Sequence, residues 1–205
     1  MDKEIENLNR YLPGPAVDII YGWLKADRIQ LTITRNRKTK LGDYRAPIDG
    51  KPHRISVNHD LNSYSFLITL VHEIAHARVW EKYKRKANPH GKEWKMVYKE
   101  LMDNFLNEDI FPPEILQALN HYFQNTFASS STDLQLTRML KKYDHKTSGI
   151  MLEEIPYNTV FSIADGRTFR KQDKLRKRYR CICLNNKRLY LFNPLTQITP
   201  VEPEE

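Results

Sequence analysis

Cysteine is nearly missing from this chain. Cys181 and Cys183 are the two in 205 residues, so a disulfide-stapled scaffold is excluded. Long apolar runs are missing too. No stretch approaches the roughly 20 apolar residues that a membrane helix needs. The opening "MDKEIENLNRYLPG" carries acids and has no continuous apolar core, so it does not read as a secretory signal. Internal repeats and extended low-complexity tracts are likewise absent. These absences lead us to expect a cytoplasmic protein with no membrane partner. Acids are outnumbered, 25 against 33 lysines and arginines, giving a net charge of +8 and a pI near 9.4. Basic surface of that kind attracts polyanions without requiring specificity.

What is present has the size and balance of a folded protein. Hydrophobic residues make up 40% and charged residues 28%, enough for one well-packed domain and a smaller second one. Helical spacing is expected over 4–12 and 15–26, where Val17, Ile20, Tyr21 and Leu24 share a face. Period-two alternation then predicts strands over 28–36, 40–47 and 53–61. The third is expected at a sheet edge, where an extended substrate adds by backbone pairing. A long helix follows from Tyr64 to about Lys84, capped by Asn62 or Ser63 and buried through Phe66, Leu70, Val71, Ile74 and Ala77. Further helices are expected over 92–106, 112–127 and 134–143. After Pro156 the period returns to two, with hairpin turns at Asp165-Gly166 and Asn185-Asn186.

The chemistry concentrates in "TLVHEIAHARVWEKYKRKANPHGKEW", residues 69–94. His72 and His76 lie four apart on the long helix, so both imidazoles share one face and can reach one ion. Zn–N distances of about 2.0–2.1 Å suit that pair. Glu73 sits between them in the chain and can take a proton from an activated water without being a ligand. HExxH on a helix is the sequence form of a water-activating zinc site. A catalytic zinc keeps three protein ligands and an open position. His90, in the break before the next helix, is the best candidate for the third. Tyr44, Arg45, His59 and Tyr98 are candidate oxyanion donors, and the sequence does not choose among them. His53, His59, His121 and His145 are read as non-ligands in turns or on helix surfaces.

"HEIAH" followed at this spacing by "HGKEW" resembles the SprT-like zinc metallopeptidases, the group that includes the DNA-repair protease Spartan. "LGDYR" and "ISVNHDL", ahead of the motif, look like that family's strands. The resemblance covers about residues 15–106. It implies Zn²⁺ on His72, His76 and His90, with Glu73 as the catalytic carboxylate. It also implies hydrolysis of peptide bonds in DNA-associated or DNA-crosslinked proteins. Two departures stand out. The family's aromatic follows the last histidine by three residues, whereas Trp94 follows His90 by four. Many members end in a four-cysteine zinc ribbon, whereas Cys181 and Cys183 alone make a poor second metal site.

In its place the chain carries "GRTFRKQDKLRKRYR". Arg167, Arg170, Lys171, Lys174, Arg176, Lys177, Arg178 and Arg180 are candidate nucleic-acid contacts, with Phe169 and Tyr179 interleaved. "TRNRKTK" at 34–40 is a weaker basic patch. The expected fold class is α+β. A zincin-like metallopeptidase domain over 1–127, with a small sheet and the HExxH helix, leads through a helical linker over 128–155 to a small basic all-β module over 156–205. The expected partners are a protein or peptide substrate and DNA through the basic module, with an acidic protein surface as the other polyanion that module suits. The rival reading is a non-catalytic nucleic-acid-binding protein with a structural zinc site.

Overall fold

Alternation of apolar and polar residues in the first sixty positions resolves into three strands that share one buried face. In the computed structural model, which describes residues 2–37, 39–48, 50–125, 133–144 and 149–201, β1 spans Ile29–Thr34, β2 spans Gly42–Arg45 and β3 spans His53–Asn58. Their order is β1-β3-β2. β3 pairs in parallel with β1, Ile29 opposite His53, and antiparallel with β2, Gly42 opposite Val57. β3 is therefore the centre of the sheet, and the expectation that it forms the substrate-accepting edge is corrected. Flanked by β1 and β2, β3 carries Ile55 and Val57 at 1% and 0% exposure into the core.

Helices cover the buried face. α1 (Lys3–Asn9) and α2 (Val17–Ala26) precede the sheet. α3 runs from Ser63 to Tyr83, and Asn62 caps it by accepting from the Ser65 amide at 2.9 Å. Phe66, Leu67, Ile68, Leu70, Val71, Ile74, Ala75 and Ala77 are all buried, so this helix is wrapped on nearly every side. A helix in that position is the rigid mount of its domain. α4 (Lys92–Met102) and α5 (Pro113–Asn125) pack with it into one core through Trp94, Tyr98, Phe105, Phe111 and Tyr122.

The chain divides into two compact units, residues 1–145 and 146–205. The segment expected as a helical linker does not behave as one piece. α6 (Leu134–Lys141) buries Leu136 in the first unit's core. There the Asn62 amide donates to the Leu140 carbonyl at 2.9 Å and to Asp144 Oδ1 at 2.7 Å, so the α3 cap also ties down α6. Leu152 instead belongs to the second unit's core. Residues 128–132 of the serine-rich stretch, and His145, lie outside the described residues.

The second unit is a six-stranded sheet in the order β4-β9-β5-β6-β7-β8. Its strands are β4 (Ile150–Met151), β5 (Val160–Ser162), β6 (Thr168–Leu175), β7 (Arg178–Cys183), β8 (Leu189–Phe192) and β9 (Gln197–Pro200). The turns at Gly166 (φ 82°) and beside Asn185 fall where the sequence placed them. A further tight turn at Arg176-Lys177 joins β6 to β7, with Arg176 at φ 51°. Lacking glycine or asparagine, it carries no turn signal. Phe161, Phe169, Cys181, Cys183 and Ile198 fill the core, with Phe161 and Phe169 stacked at 5.7 Å. Both cysteines are buried free thiols. The whole is a mixed α/β protein, six helices and two sheets among the described residues. None of those helices is long and apolar enough to cross a membrane.

Candidate metal centre

Helix α3 offers His72 and His76 from adjacent turns of one face, and the chain must come back to meet them. The helix ends at Tyr83, with Lys84 as its C-cap at φ 51°, and the chain returns through Asn88-Pro89. His90 itself takes φ 58°, a left-handed conformation that histidine tolerates better than most residues. The Gly91 amide then donates to the Asn88 carbonyl at 2.9 Å, closing the turn from which α4 starts. His90 is swung back over α3 by this turn. Its Nε2 lies 3.0 Å from His72 Nε2 and 3.1 Å from His76 Nε2.

Three imidazole nitrogens so close are a set of ligand atoms aimed at one point. Tetrahedral coordination at about 2.05 Å would separate them by about 3.3 Å, a few tenths more than the two separations from His90. Burial pushes the His72 imidazole down to about 3, with help from His76 and His90. Burial and His90 push His76 down to about 4, and burial lowers His90 as well. All three are thus neutral near pH 7, which is the form that binds a metal. The residues present fit a divalent cation, and His72, His76 and His90 can hold one.

Trp94 forms the wall behind them. Its ring centroid is 4.5 Å from that of His72, 5.3 Å from His76 and 4.7 Å from His90. The one-residue offset in the sequence is absorbed by the start of α4, which still brings the indole against all three rings. Tyr98 stacks behind Trp94 at 4.8 Å. Tyr98 is fully buried, and burial holds its hydroxyl proton firmly, so it is packing and not an exposed donor.

Glu73 is 8% exposed. Burial raises its carboxyl to about 7, Asp43 adds to the rise, and Arg37 and Lys40 oppose it. Its room is made by Gly42, the first residue of β2. A Cβ there would stand 2.5 Å from Glu73 Oε1 and 2.8 Å from Thr69 Cγ2. Gly42 lies within the strand that alternation predicts over 40–47. The signal was faint, since only the register of β2 against α3 reveals what it faces. Gly42→Ala should displace the Glu73 carboxylate and destabilise the fold by about 1–3 kcal/mol, as overpacking does. Thermal melting checks the second effect. Unchanged stability would mean that the helix and strand part easily here.

Tyr44 is the other β2 residue turned toward α3, with its ring nearly parallel to His76 at 6.1 Å. Its hydroxyl pairs with His53 Nδ1 at 2.9 Å, while His53 Nε2 pairs with Glu81 Oε1 at 2.9 Å. A chain of polar contacts thus ties β2 through β3 to α3. His53, expected in a turn, is instead 4% exposed on the central strand. Strand alternation puts it on the face of Ile55 and Val57, and its partner Glu81 lies 28 residues away. Arg45 points to the opposite face of the sheet from Tyr44, His59 is exposed beyond β3, and neither His53 nor His59 joins the triad.

In the second unit the candidate cations divide. Arg170, Lys174, Arg176, Lys177 and Arg178 are exposed. Arg167 pairs with Asp165 at 2.8 Å and lies 5.3 Å over the Tyr190 ring. Arg180 pairs with Asp173. Lys171 is corrected as a surface contact. It is 4% exposed, donates to the Ile155 carbonyl, and lies 4.2 Å from the Tyr179 ring centre. Alternation along β6 turns it inward beside Phe169.

The sequence profile of the SprT-like family matches residues 16–114. That range contains the three-stranded sheet, α3, α4, Glu73 and all three histidines, and it leaves out the second unit. No curated protein and no solved structure matches the chain. Over residues 16–114 the chain is therefore similar to the SprT-like family, in agreement with the resemblance carried by its histidine motif.

Proposed function

We propose that the first unit is a zincin-like, zinc-dependent peptidase with His72, His76 and His90 as the metal ligands. The observation that carries this reading is the convergence of three neutral imidazoles, with His90 Nε2 3.0 Å from His72 Nε2 and 3.1 Å from His76 Nε2, beside a buried carboxylate. Zinc, when bound there, supplies Lewis acidity to a water molecule and to the scissile carbonyl. Glu73 accepts the water's proton at its carboxylate and delivers it to the departing amine nitrogen. A carboxyl held near 7 is matched to both halves of that task at neutral pH. Trp94 walls the ligand cluster on one side and limits water to the open one.

β2 supports the peptide-substrate assignment. It pairs only with β3, so its outer edge is free among the described residues, and its Gly42 and Tyr44 lie against Glu73 and His76. An extended peptide adding to that edge would pass the site by backbone pairing, with little demand on sequence. Proteins bound or crosslinked to DNA are the proposed substrates, on the strength of the family and of the exposed cations of the second unit. The test is metal analysis of chain purified without chelators, with cleavage of a DNA-bound protein before and after chelation. Stoichiometric zinc and chelator-sensitive cleavage are expected. Zinc with no cleavage of any protein substrate would turn the reading to a structural metal site in a nucleic-acid-binding protein.

A further inference from the structure

The three-stranded sheet has a second face, turned away from α3. Thr32 and Gln30 of β1, Ser56 and Arg54 of β3, and Asp43 and Arg45 of β2 line it. Together they floor a groove of about 370 Å³. Every one of these residues is exposed or half-buried. The register puts Arg45 directly opposite Arg54, and like charges paired across strands oppose folding. Asp43 relieves Arg45 with a 3.2 Å contact. Arg54 has no such relief. Its side chain makes no hydrogen bond or ion pair among the described residues, and its Nε is buried without a partner.

Arg37 closes one end of the groove and is already fixed. Its Nε donates to Asn58 Oδ1 at 2.8 Å, and its two terminal nitrogens donate to the Ser56 hydroxyl at 2.9 Å and carbonyl at 3.3 Å. Three guanidinium groups against one carboxylate, amid hydroxyls, form a cradle for oxyanions. Planar guanidinium forks suit phosphate oxygens in particular. The lining contains no aromatic residue, so unstacked bases would find no platform. That favours the sugar-phosphate backbone of a duplex over a splayed single strand.

We propose that this outer face binds the phosphates of a nucleic-acid duplex through Arg37, Arg45 and Arg54. The inference is independent of the peptidase reading, because it concerns the face opposite Glu73 and is read by binding alone. The experiment measures affinity of the full chain for a short labelled DNA duplex across a salt series. Each lost phosphate contact lowers the slope of log K against log salt by about 0.9, so Arg45→Gln/Arg54→Gln should flatten it by about 2. A control removing exposed Lys51 and Lys99 should leave the slope unchanged. The double arginine variant should also melt no lower than the wild type, since it relieves a repulsion.

An unaltered slope in the arginine variant would overturn the proposal. So would an equal loss in the lysine control, which reduces the effect to net charge. A lower melting temperature would overturn it by making the arginines structural. Tighter binding of the matching single strand, or competition by polyglutamate as effective as that by duplex, would overturn the assignment to duplex phosphates.

Discussion

Glu73→Gln should abolish most peptide cleavage while leaving the metal bound. The amide is nearly isosteric with the carboxyl, so it keeps the packing against Gly42 and Thr69. It cannot accept a proton, and loss of a positioned general base typically costs about 10²–10⁴-fold in rate. The same substitution carries an opposite effect on stability. Burial raises the Glu73 carboxyl from 4.5 to about 7 in the metal-free fold, so the folded chain prefers this group protonated. The cost of ionising it is absent below about pH 4.5, grows between 4.5 and 7, and is complete above about 7. It amounts to as much as about 3 kcal/mol.

Glutamine never ionises, so the metal-free variant should be more stable than the metal-free wild type above pH 7. The two should converge near pH 4.5, because protonation of His72 and His76 affects both alike. Melting curves of the chelated proteins across that range test the sign. A variant that is inactive and also less stable at pH 8 would mark Glu73 as a structural residue. An inactive but stabilised variant is the signature of a group kept in an unfavourable place for its chemistry.

Much of this was legible in the sequence, and for identifiable reasons. The HExxH spacing reads directly because two residues four apart on a helix are neighbours whatever surrounds them. The Asn62 cap, the strands of the first sheet and the two marked hairpins rest on equally local chemistry. The order β1-β3-β2 was illegible, since alternation says which face a residue takes but not which strand lies beside which. The same limit hid Gly42, whose partner Glu73 lies on another element, and the opposition of Arg45 and Arg54. Lys171 misled for a related cause. Charge suggested surface, but its place in β6 beside Phe169 set its direction, and the Ile155 carbonyl and the Tyr179 ring take up its ammonium group. The proposed roles of His72, Glu73, His76 and His90 draw on both levels, with the helix spacing local and the return of His90 tertiary.

His90→Asn should separate that return from the fold around it. Asparagine tolerates the left-handed backbone that position 90 adopts at φ 58°, so the turn into α4 should survive. One of three ligand nitrogens is lost. If each ligand carries about a third of a zinc-binding free energy of roughly 10–16 kcal/mol, affinity should fall by about 10²–10⁴-fold. In the wild type, zinc binds the folded chain and not the unfolded one, so chelation should lower its melting temperature. The variant should melt close to the chelated wild type and respond little to chelator. Retention of stoichiometric zinc by His90→Asn, with an unchanged response to chelator, would place the third donor elsewhere and undo the ligand set on which the hydrolytic reading rests.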